Sequence, residues 1–194
     1  MLRRSLLTSA IAASLLTTFS LPTFATQVYE TDLVIIGGGL SGLAAAQSAV
    51  DQGAKPIVLE KEAALGGGGN FPEGSLGVGT RYQKEHNINT TVDQVLTAAL
   101  QYHHYRADPH VLRVLIEESG KTIDWVMDKG AQMRGIRTMY PKDESLMTWH
   151  LFKGGAAGII QRFAKEVRAK GGTILTETPA KKLIVENGKV VGVE

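Results

Sequence analysis

The chain has 194 residues, with 21 lysines and arginines against 19 aspartates and glutamates, and 43% of its residues are hydrophobic. This composition is that of a folded globular protein and excludes a disordered or fibrous chain, and a net charge of +2 gives no basic excess for binding nucleic acid. Because the sequence has no cysteine, disulfides, thiolate metal sites, cysteine-ligated iron–sulfur clusters and thioether-attached haem are excluded, and any redox chemistry requires a bound organic cofactor.

The first 25 residues have the pattern of a secretory signal peptide. Arg3 and Arg4 precede an uncharged run over 5–21, and a small-x-small triplet ends at Ala25. The run is too short and too rich in serine and threonine for a membrane anchor. We predict cleavage after Ala25, which leaves 26–194 as an exported chain, periplasmic in a Gram-negative source, without a stable membrane anchor. The arginine pair also resembles a twin-arginine signal, and the sequence does not decide between that route and general secretory export.

A predicted strand, a glycine-rich turn and a predicted helix follow. Residues 32–36 are an aspartate followed by four apolar residues, three of them β-branched, as in a strand buried on both faces of a parallel sheet. Gly37, Gly39 and Gly42 then form G-x-G-x-x-G before an alanine-rich helical stretch over 43–51. The first glycine permits a tight turn, the second lets a pyrophosphate approach the backbone, and the third allows close packing of helix on strand. The helix N-terminus would present N–H groups to the phosphates.

The next predicted strand ends in an acidic residue. Residues 56–59 are followed by Glu60, which lies 23 positions after Gly37. A carboxylate there can accept hydrogen bonds from the ribose hydroxyls of an adenosine, and it disfavours the 2′-phosphate of NADP because two negative charges would meet. The glycine motif alone is also compatible with a flexible turn, but strand, glycines, helix, strand and acid together predict a dinucleotide site. The motif does not separate FAD from NAD.

A second glycine cluster follows the acid. Gly66 to Gly69 precede Asn70, and Gly74, Gly77 and Gly79 continue the pattern. A nicotinamide-binding domain usually passes from its second strand into another ordinary helix, whereas this chain spends about twenty residues in a segment that can wrap an extended ligand. The pattern favours FAD, with a mobile surface loop as the alternative interpretation.

These segments resemble the FAD-binding region of the fumarate reductase and succinate dehydrogenase flavoprotein family, in particular its soluble, exported members. The similarity runs from about Thr31 to the end of the chain and includes Gly154-Gly155 before a helix to Lys170. It implies an α/β fold, with a Rossmann-like FAD-binding domain and a parallel sheet over 26–194. In the family, the position matching Ala180 borders the adenine. The candidate cofactor contacts are Gly37, Gly39, Ser41, Gly42, Glu60, Lys61, Gly67, Gly69, Asn70, Gly74, Ser75, Gly77 and Ala180.

The chain departs from the family pattern in the second glycine loop. The family usually has serine or threonine after Gly-Gly-Asn, whereas this chain has Phe71-Pro72. In membrane-bound relatives a histidine of this loop bonds covalently to the flavin. No histidine occurs between Glu60 and Lys84, so the resemblance implies that FAD is held non-covalently.

The middle of the chain is predicted to be helical scaffold. One helix is expected from Thr91 to Tyr105 and another from Asp108 to Lys129. The paired histidines His103-His104 point in different directions on a helix and have no further histidine at four-residue spacing, so no metal site is predicted. The buried side of the second helix is predicted to comprise Val111, Leu112, Leu115, Ile123, Trp125 and Val126.

Five further side chains receive structural interpretations. Trp125 and Trp149 are expected to be packing residues, and a lone His150 is more typical of a structural position than of a flavin pocket. Arg134 and Arg137 are able to attract an anionic substrate, but we favour a solvated surface.

The chain ends in a predicted hairpin. Asn187-Gly188 is a tight-turn signal between two strands within 184–191. Because Glu194 falls in or just after the second strand, we expect the sequence to be an N-terminal fragment of a longer protein. In the resembling family the capping domain and the catalytic residues lie beyond this point, so no catalytic residue is assigned.

The resemblance implies a flavoprotein oxidoreductase. In the family, the flavin accepts a hydride or passes one from its N5 to an activated C=C bond, as in reduction of fumarate to succinate. The expected partners are a small-molecule substrate and an electron donor or acceptor on a separate haem protein or domain. The alternatives are a flavin dehydrogenase of a steroid or another unsaturated acid, a truncated chain that binds nucleotide without catalysis, and an NAD-dependent dehydrogenase, which the second glycine loop disfavours.

Overall fold

The computed structural model describes residues 27–139 and 146–194, so the predicted signal peptide lies outside the described residues. All the elements belong to the unit Thr31–Glu194. The helices are α1 (Leu40–Asp51), α2 (Arg81–Glu85), α3 (Val92–Tyr102), α4 (Pro109–Asp128) and α5 (Gly155–Ala169). The strands are β1 (Val34–Ile36), β2 (Ile57–Leu59), β3 (Gly74–Leu76), β4 (Met133–Thr138), β5 (Met147–Phe152), β6 (Thr173–Leu175), β7 (Leu183–Glu186) and β8 (Lys189–Val193). A 3₁₀ turn spans Gly67–Asn70.

A parallel sheet of order β1-β2-β6 confirms the predicted α/β fold. Helices α1 and α5 pack on the face of this sheet that carries Ile35 and Val58, which pair across β1 and β2. The prediction that the first strand is buried on both faces is wrong, because Ile36 is 57% exposed. The buried cluster on the covered face comprises Ile35, Ala46, Val50, Val58 and Val167.

An antiparallel sheet of order β3-β5-β4 is a second layer that the sequence did not predict. Strand β3 has only three residues within the glycine-rich segment, and β4 carries a glycine and two arginines, so neither shows the usual alternation of apolar and polar residues. Gly74 lies against the backbone of His150, where a Cβ would collide with the carbonyl oxygen. This close approach requires glycine at the start of β3.

Helices α3 and α4 begin at their predicted caps. Thr91 and Gln94 form a reciprocal capping box, and Asp108 accepts a hydrogen bond from the backbone N–H of His110 at 2.8 Å, with Pro109 at the first helical position.

The predicted buried side of α4 is wrong at its N-terminal half. Val111 and Leu115 are 65% and 57% exposed, whereas Ile116 and Ile123 are almost fully buried. Gly120 lies so close to the backbone of Val78 that a Cβ would collide with its carbonyl oxygen. This contact determines which face of the helix is buried. The spacing of apolar residues in the sequence does not reveal such a contact.

The C-terminal hairpin has the predicted turn. Asn187 and Gly188 have φ of 50° and 76° and connect β7 to β8. Two successive positive φ values define the tight turn that Asn-Gly favours.

Asp51 joins the C-terminal ends of three helices. Its carboxylate oxygens lie 2.6 Å from Nζ of Lys129 and 2.6 Å from Nζ of Lys170. Hydrogen bonds from these two ammonium groups lower the pKa of Asp51 from 3.8 to about 2. Since the folded pKa lies below the unfolded value, this contribution to stability is complete above about pH 4 and is lost as the pH falls towards 2.

We expect Asp51→Asn to lower the free energy of unfolding at pH 7 by about 1 kcal/mol, a small value because water screens the pair and Lys170 is 40% exposed. Urea unfolding at pH 7 and pH 2.5 measures the effect, with Asp128→Asn, which removes the ion pair of α4 with Arg81, as a control. The difference between the Asp51 variant and the parent protein is expected to shrink at pH 2.5. A difference that persists unchanged at pH 2.5 would assign the effect to something other than the carboxylate charge.

Candidate FAD-binding site

The turn between β1 and α1 has the geometry of a pyrophosphate-binding loop. Gly37 has φ of 103°, and its N–H donates to the carbonyl of Leu59 at 2.7 Å, which ties the turn to β2. Helix α1 begins at Leu40, three residues before the predicted start at Leu43, because Gly39 already acts as its N-cap. No side chain caps this helix and its first turn has no acidic residue. The N-terminal N–H groups and the positive end of the helix dipole therefore favour an anion.

Gly39 and Gly42 are required for different reasons. A Cβ on Gly42 would collide with the carbonyl oxygen of Gly37, so this glycine permits the close packing of α1 on β1 that the motif predicts. A Cβ on Gly39 would meet nothing nearer than the carbonyl oxygen of Gly66 at 3.8 Å. The protein itself therefore tolerates a side chain at Gly39, and the open space there suits a ligand that lies along the backbone.

The second glycine cluster packs directly against the first. The N–H of Gly66 donates to the carbonyl of Gly38 at 2.8 Å, and the amide of Asn70 donates to the carbonyl of Leu65 at 2.9 Å. Gly69 approaches Leu40 so closely that a Cβ would lie 3.0 Å from that of Leu40. Backbone contacts thus place the 3₁₀ turn beside the N-terminus of α1.

A cavity of about 580 Å³ opens beside these loops, within the range typical of sites for small organic ligands. Five of the residues predicted from the sequence line it, namely Gly39, Ser41, Gly67, Gly69 and Ser75. The remaining wall is mainly apolar, and none of the described residues that line the cavity is charged. This wall comprises Leu40, Ala44, Gly66, Gly68, Thr122, Ile123, Trp125, Val126, Phe152, Ile159 and Phe163.

Glu60 lies at the end of β2 with 8% of its surface exposed. Its carboxylate accepts hydrogen bonds from the N–H of Gly38 at 2.6 Å and from the N–H of Glu62 at 2.9 Å. The hydrogen bond from Glu62, followed by that from Gly38, holds the pKa of Glu60 below its ordinary value although burial acts in the opposite direction. An ionised carboxylate has about four acceptor positions. Because backbone N–H groups occupy only part of these positions, acceptor capacity remains for a ribose hydroxyl.

Other predicted contacts lie outside the cavity wall. Lys61 has 73% of its side chain exposed and lies 3.7 Å from Glu62. A Cβ on Gly77 would lie 2.8 Å from the ring of His150, so this glycine has a packing reason to be present. Asn70 braces its own loop, and Ala180 is partly buried in the segment before β7. Cofactor contacts by these residues remain predictions.

His150 is fully buried and belongs to a hydrogen-bonded network of the second sheet. Its Nδ1 lies 3.0 Å from the carbonyl oxygen of Thr148, and its Nε2 lies 2.8 Å from the hydroxyl of Thr80. Since a carbonyl can only accept, Nδ1 donates and Nε2 accepts from the hydroxyl. Burial lowers the pKa of His150, so the ring is neutral at pH 7. The structural interpretation of His150 is confirmed.

The two arginines considered as substrate ligands lie at the surface. Arg134 and Arg137 are 3.3 Å and 3.6 Å from the carboxylate of Glu73, with all three side chains more than half exposed. This confirms their interpretation as a solvated surface. Within 27–139 and 146–194, no group of three histidine, aspartate or glutamate side chains is arranged to hold a metal ion.

Sequence reasoning missed the far wall of the cavity. Thr122, Trp125 and Phe163 lie on α4 and α5, far along the chain from the glycine loops. Their only local signal is that Thr122 and Trp125 flank the buried positions Ile123 and Val126, which widens the apolar stripe of α4. Such a stripe does not show which loop it faces.

A dinucleotide fits these residues. The uncapped helix N-terminus suits a pyrophosphate, the buried carboxylate of Glu60 has free acceptor positions for a ribose, and the open space at Gly39 leaves room for the ligand. Residues 32–194 match the family model of the FAD binding domain. The chain therefore belongs to this family, and its dinucleotide is FAD rather than NAD.

The chain is similar to several reductases. It is 34% identical to a vinyl phenol reductase of Lactiplantibacillus plantarum, over 84% of this chain and 33% of that protein. It is 28% identical to an NADH:fumarate oxidoreductase of Klebsiella pneumoniae, over 84% of this chain and 18% of that protein. The chain thus spans a third or less of the length of these relatives.

A solved structure shares the fold. The open conformation of a flavocytochrome c3 fumarate reductase superimposes with a TM-score of 0.70 at 22% identity, over 84% of this chain and 29% of that one. Among the helices in the described part of the chain, none is both long and apolar enough to cross a membrane.

Proposed function

We propose that this chain is the FAD-binding portion of an exported flavoprotein oxidoreductase that reduces an activated C=C bond. The observation that carries the proposal is the pair of glycine loops beside an apolar cavity, in a chain that matches the FAD binding domain along 32–194. The relatives in which the same region occurs are named as reductases of vinyl phenol and of fumarate. Reduction of an alkene is the reaction that these names share.

Different residues of the two loops would bind different parts of FAD. The N–H groups at the start of α1, including that of Ser41, would face the pyrophosphate, and Glu60 would accept hydrogen bonds from the ribose. Gly67, Gly69 and Ser75 would border the flavin half. The segment 61–84 has no histidine, and we propose that FAD is bound non-covalently. When bound, FAD supplies hydride transfer through N5 of its isoalloxazine ring.

Within this class, we place a fumarate-like unsaturated dicarboxylate first. The names of the Klebsiella pneumoniae relative and of the flavocytochrome support that substrate. Since no described residue that lines the cavity is charged, the groups that neutralise the substrate carboxylates would come from outside this segment. A different activated alkene is the second candidate, and the name of the vinyl phenol reductase favours it.

We propose that electrons arrive from a separate haem protein or domain. This chain has no cysteine for covalent haem attachment, and the structural relative is named as a flavocytochrome. The name of the Klebsiella pneumoniae relative makes an NADH-linked donor the competing candidate.

Alkene reduction is tested with protein purified from its source at its native length. With reduced methyl viologen as the donor under anaerobic conditions, fumarate is expected to cause donor oxidation with formation of succinate. Oxidation by 4-vinylphenol but not by fumarate would assign the second substrate candidate. If neither alkene is reduced by protein that carries flavin, the reductase proposal is wrong.

Export is tested by N-terminal sequencing of the same native protein. Removal of a signal peptide is expected to leave Thr26 as the first residue. A native protein that begins at Met1 would contradict the export proposal.

A further inference from the structure

We propose that Trp125 contacts the isoalloxazine ring of bound FAD. The inference rests on the FAD site proposed above and adds a cofactor contact on α4, outside both glycine loops. Trp125 is partly buried and lines the same cavity as residues of those loops.

The cavity suits the flavin half of FAD better than the adenosine half. The pyrophosphate site at Gly37–Gly42 separates the two halves of the ligand, and Glu60, the acceptor for the ribose, does not line the cavity. The adenosine half would therefore extend towards Glu60, which leaves the cavity for the flavin half. An isoalloxazine is a flat aromatic ring system, and the apolar wall with its three aromatic residues is complementary to it. These aromatic residues are Trp125, Phe152 and Phe163.

Trp125 is held by a second aromatic side chain that also lines the cavity. Its ring centroid lies 5.3 Å from that of Phe163, and the two planes are inclined at 60°. This is a favourable spacing for an aromatic pair. The contact restricts the indole before the ligand binds, so little side-chain freedom is lost on binding. Trp125 thus packs in the protein, as the sequence analysis expected, and also faces the site.

The chain contains a matched control. Trp149 is the other of the two tryptophans, and it pairs with Leu76 across β5 and β3 without lining the cavity. An indole in van der Waals contact with a photoexcited isoalloxazine transfers one electron to it and recovers that electron on recombination. The flavin emission is lost and no net reaction occurs. Only a tryptophan in direct contact with the flavin quenches efficiently in this way.

The experiment uses the native-length protein and compares flavin emission in its FAD-loaded form and in its Trp125→Phe and Trp149→Phe variants, each at equal bound FAD. Trp125→Phe is expected to raise the emission several-fold and to weaken FAD binding by roughly 2- to 10-fold. Trp149→Phe is expected to change the emission much less, because Trp149 does not line the cavity. Equal emission from all three proteins with FAD bound would overturn the assignment of Trp125. Failure of the native-length protein to bind FAD would instead overturn the FAD site itself.

A second measurement reports on the environment of each tryptophan. In the native-length protein labelled with 5-fluorotryptophan, the ¹⁹F signals of Trp125 and Trp149 are identified as those lost in the respective phenylalanine variants. We expect FAD to shift the signal of Trp125 strongly through the ring current and to leave that of Trp149 close to its original position. An unchanged Trp125 signal at saturating FAD would contradict the contact.

Discussion

Replacement of Gly39 by valine is expected to weaken FAD binding by at least roughly 100-fold, equivalent to about 2.7 kcal/mol, while the ligand-free protein remains folded. Space for a side chain exists in the free protein, since a Cβ at Gly39 meets no atom closer than 3.8 Å. That space lies where a pyrophosphate would approach the backbone at the start of α1. The side chain therefore competes with the ligand and not with the protein core. Calorimetric titration with FAD and thermal unfolding of the free protein measure the two effects separately.

Ala45→Val is the matched control, because it places valine at an exposed position of the same helix. It is expected to bind FAD like the parent protein. Gly42→Ala is expected to lower the stability of the free protein, unlike Gly39→Val, because its Cβ collides with the carbonyl oxygen of Gly37. If Gly39→Val binds FAD with unchanged affinity, the ligand does not pass over this turn.

The second large effect is expected from Glu60→Ala, which removes the acceptor for two backbone N–H groups and for the ribose. The N–H groups of Gly38 and Glu62 lose their partner at a buried position. We expect the free energy of unfolding to fall by about 2–4 kcal/mol and FAD to be lost during purification. Urea unfolding and the visible absorbance of the purified protein measure these two losses.

The neighbouring Glu62→Ala is a suitable control, because it shortens an exposed side chain and keeps the N–H that bonds Glu60. It is expected to retain FAD.

The lowered pKa of Glu60 predicts a pH dependence of stability. A carboxylate with a depressed folded pKa stabilises the protein above its unfolded pKa, and this contribution is lost as the pH falls through the folded value. Glu60→Gln is expected to show less loss of stability between pH 5 and pH 3 than the parent protein. Full retention of FAD by Glu60→Ala would contradict the proposed hydrogen bonds between Glu60 and the ribose.

The elements predicted correctly are those with a local cause. The glycine motif defines the turn before α1, the cap at Thr91 defines the start of α3, and Asn187-Gly188 defines the hairpin turn. The buried face of α4 depends instead on the close approach of Gly120 to Val78, a contact between distant parts of the chain. The antiparallel sheet was missed for the same reason, since β3 is recognisable only through its pairing with β5.

The candidate site likewise contains residues that the sequence predicts and residues that it does not. Gly37, Gly39 and Glu60 lie within one strand-turn-helix-strand unit, so their spacing in the sequence already predicts their proximity. The wall that carries Trp125 and Phe163 comes from α4 and α5, which pack beside the glycine loops through long-range contacts. No periodicity within α4 indicates that Trp125 faces the loops.

The most direct test of FAD binding is the mass of the purified native-length protein under native and denaturing conditions, recorded with its visible absorbance. A native mass equal to the chain plus one FAD, with the bare chain after denaturation and the absorbance of flavin in solution, is the predicted result. Flavin that stays attached after denaturation would contradict non-covalent binding. A native-length protein that shows no flavin, and takes up none when FAD is added, would contradict FAD binding at this site.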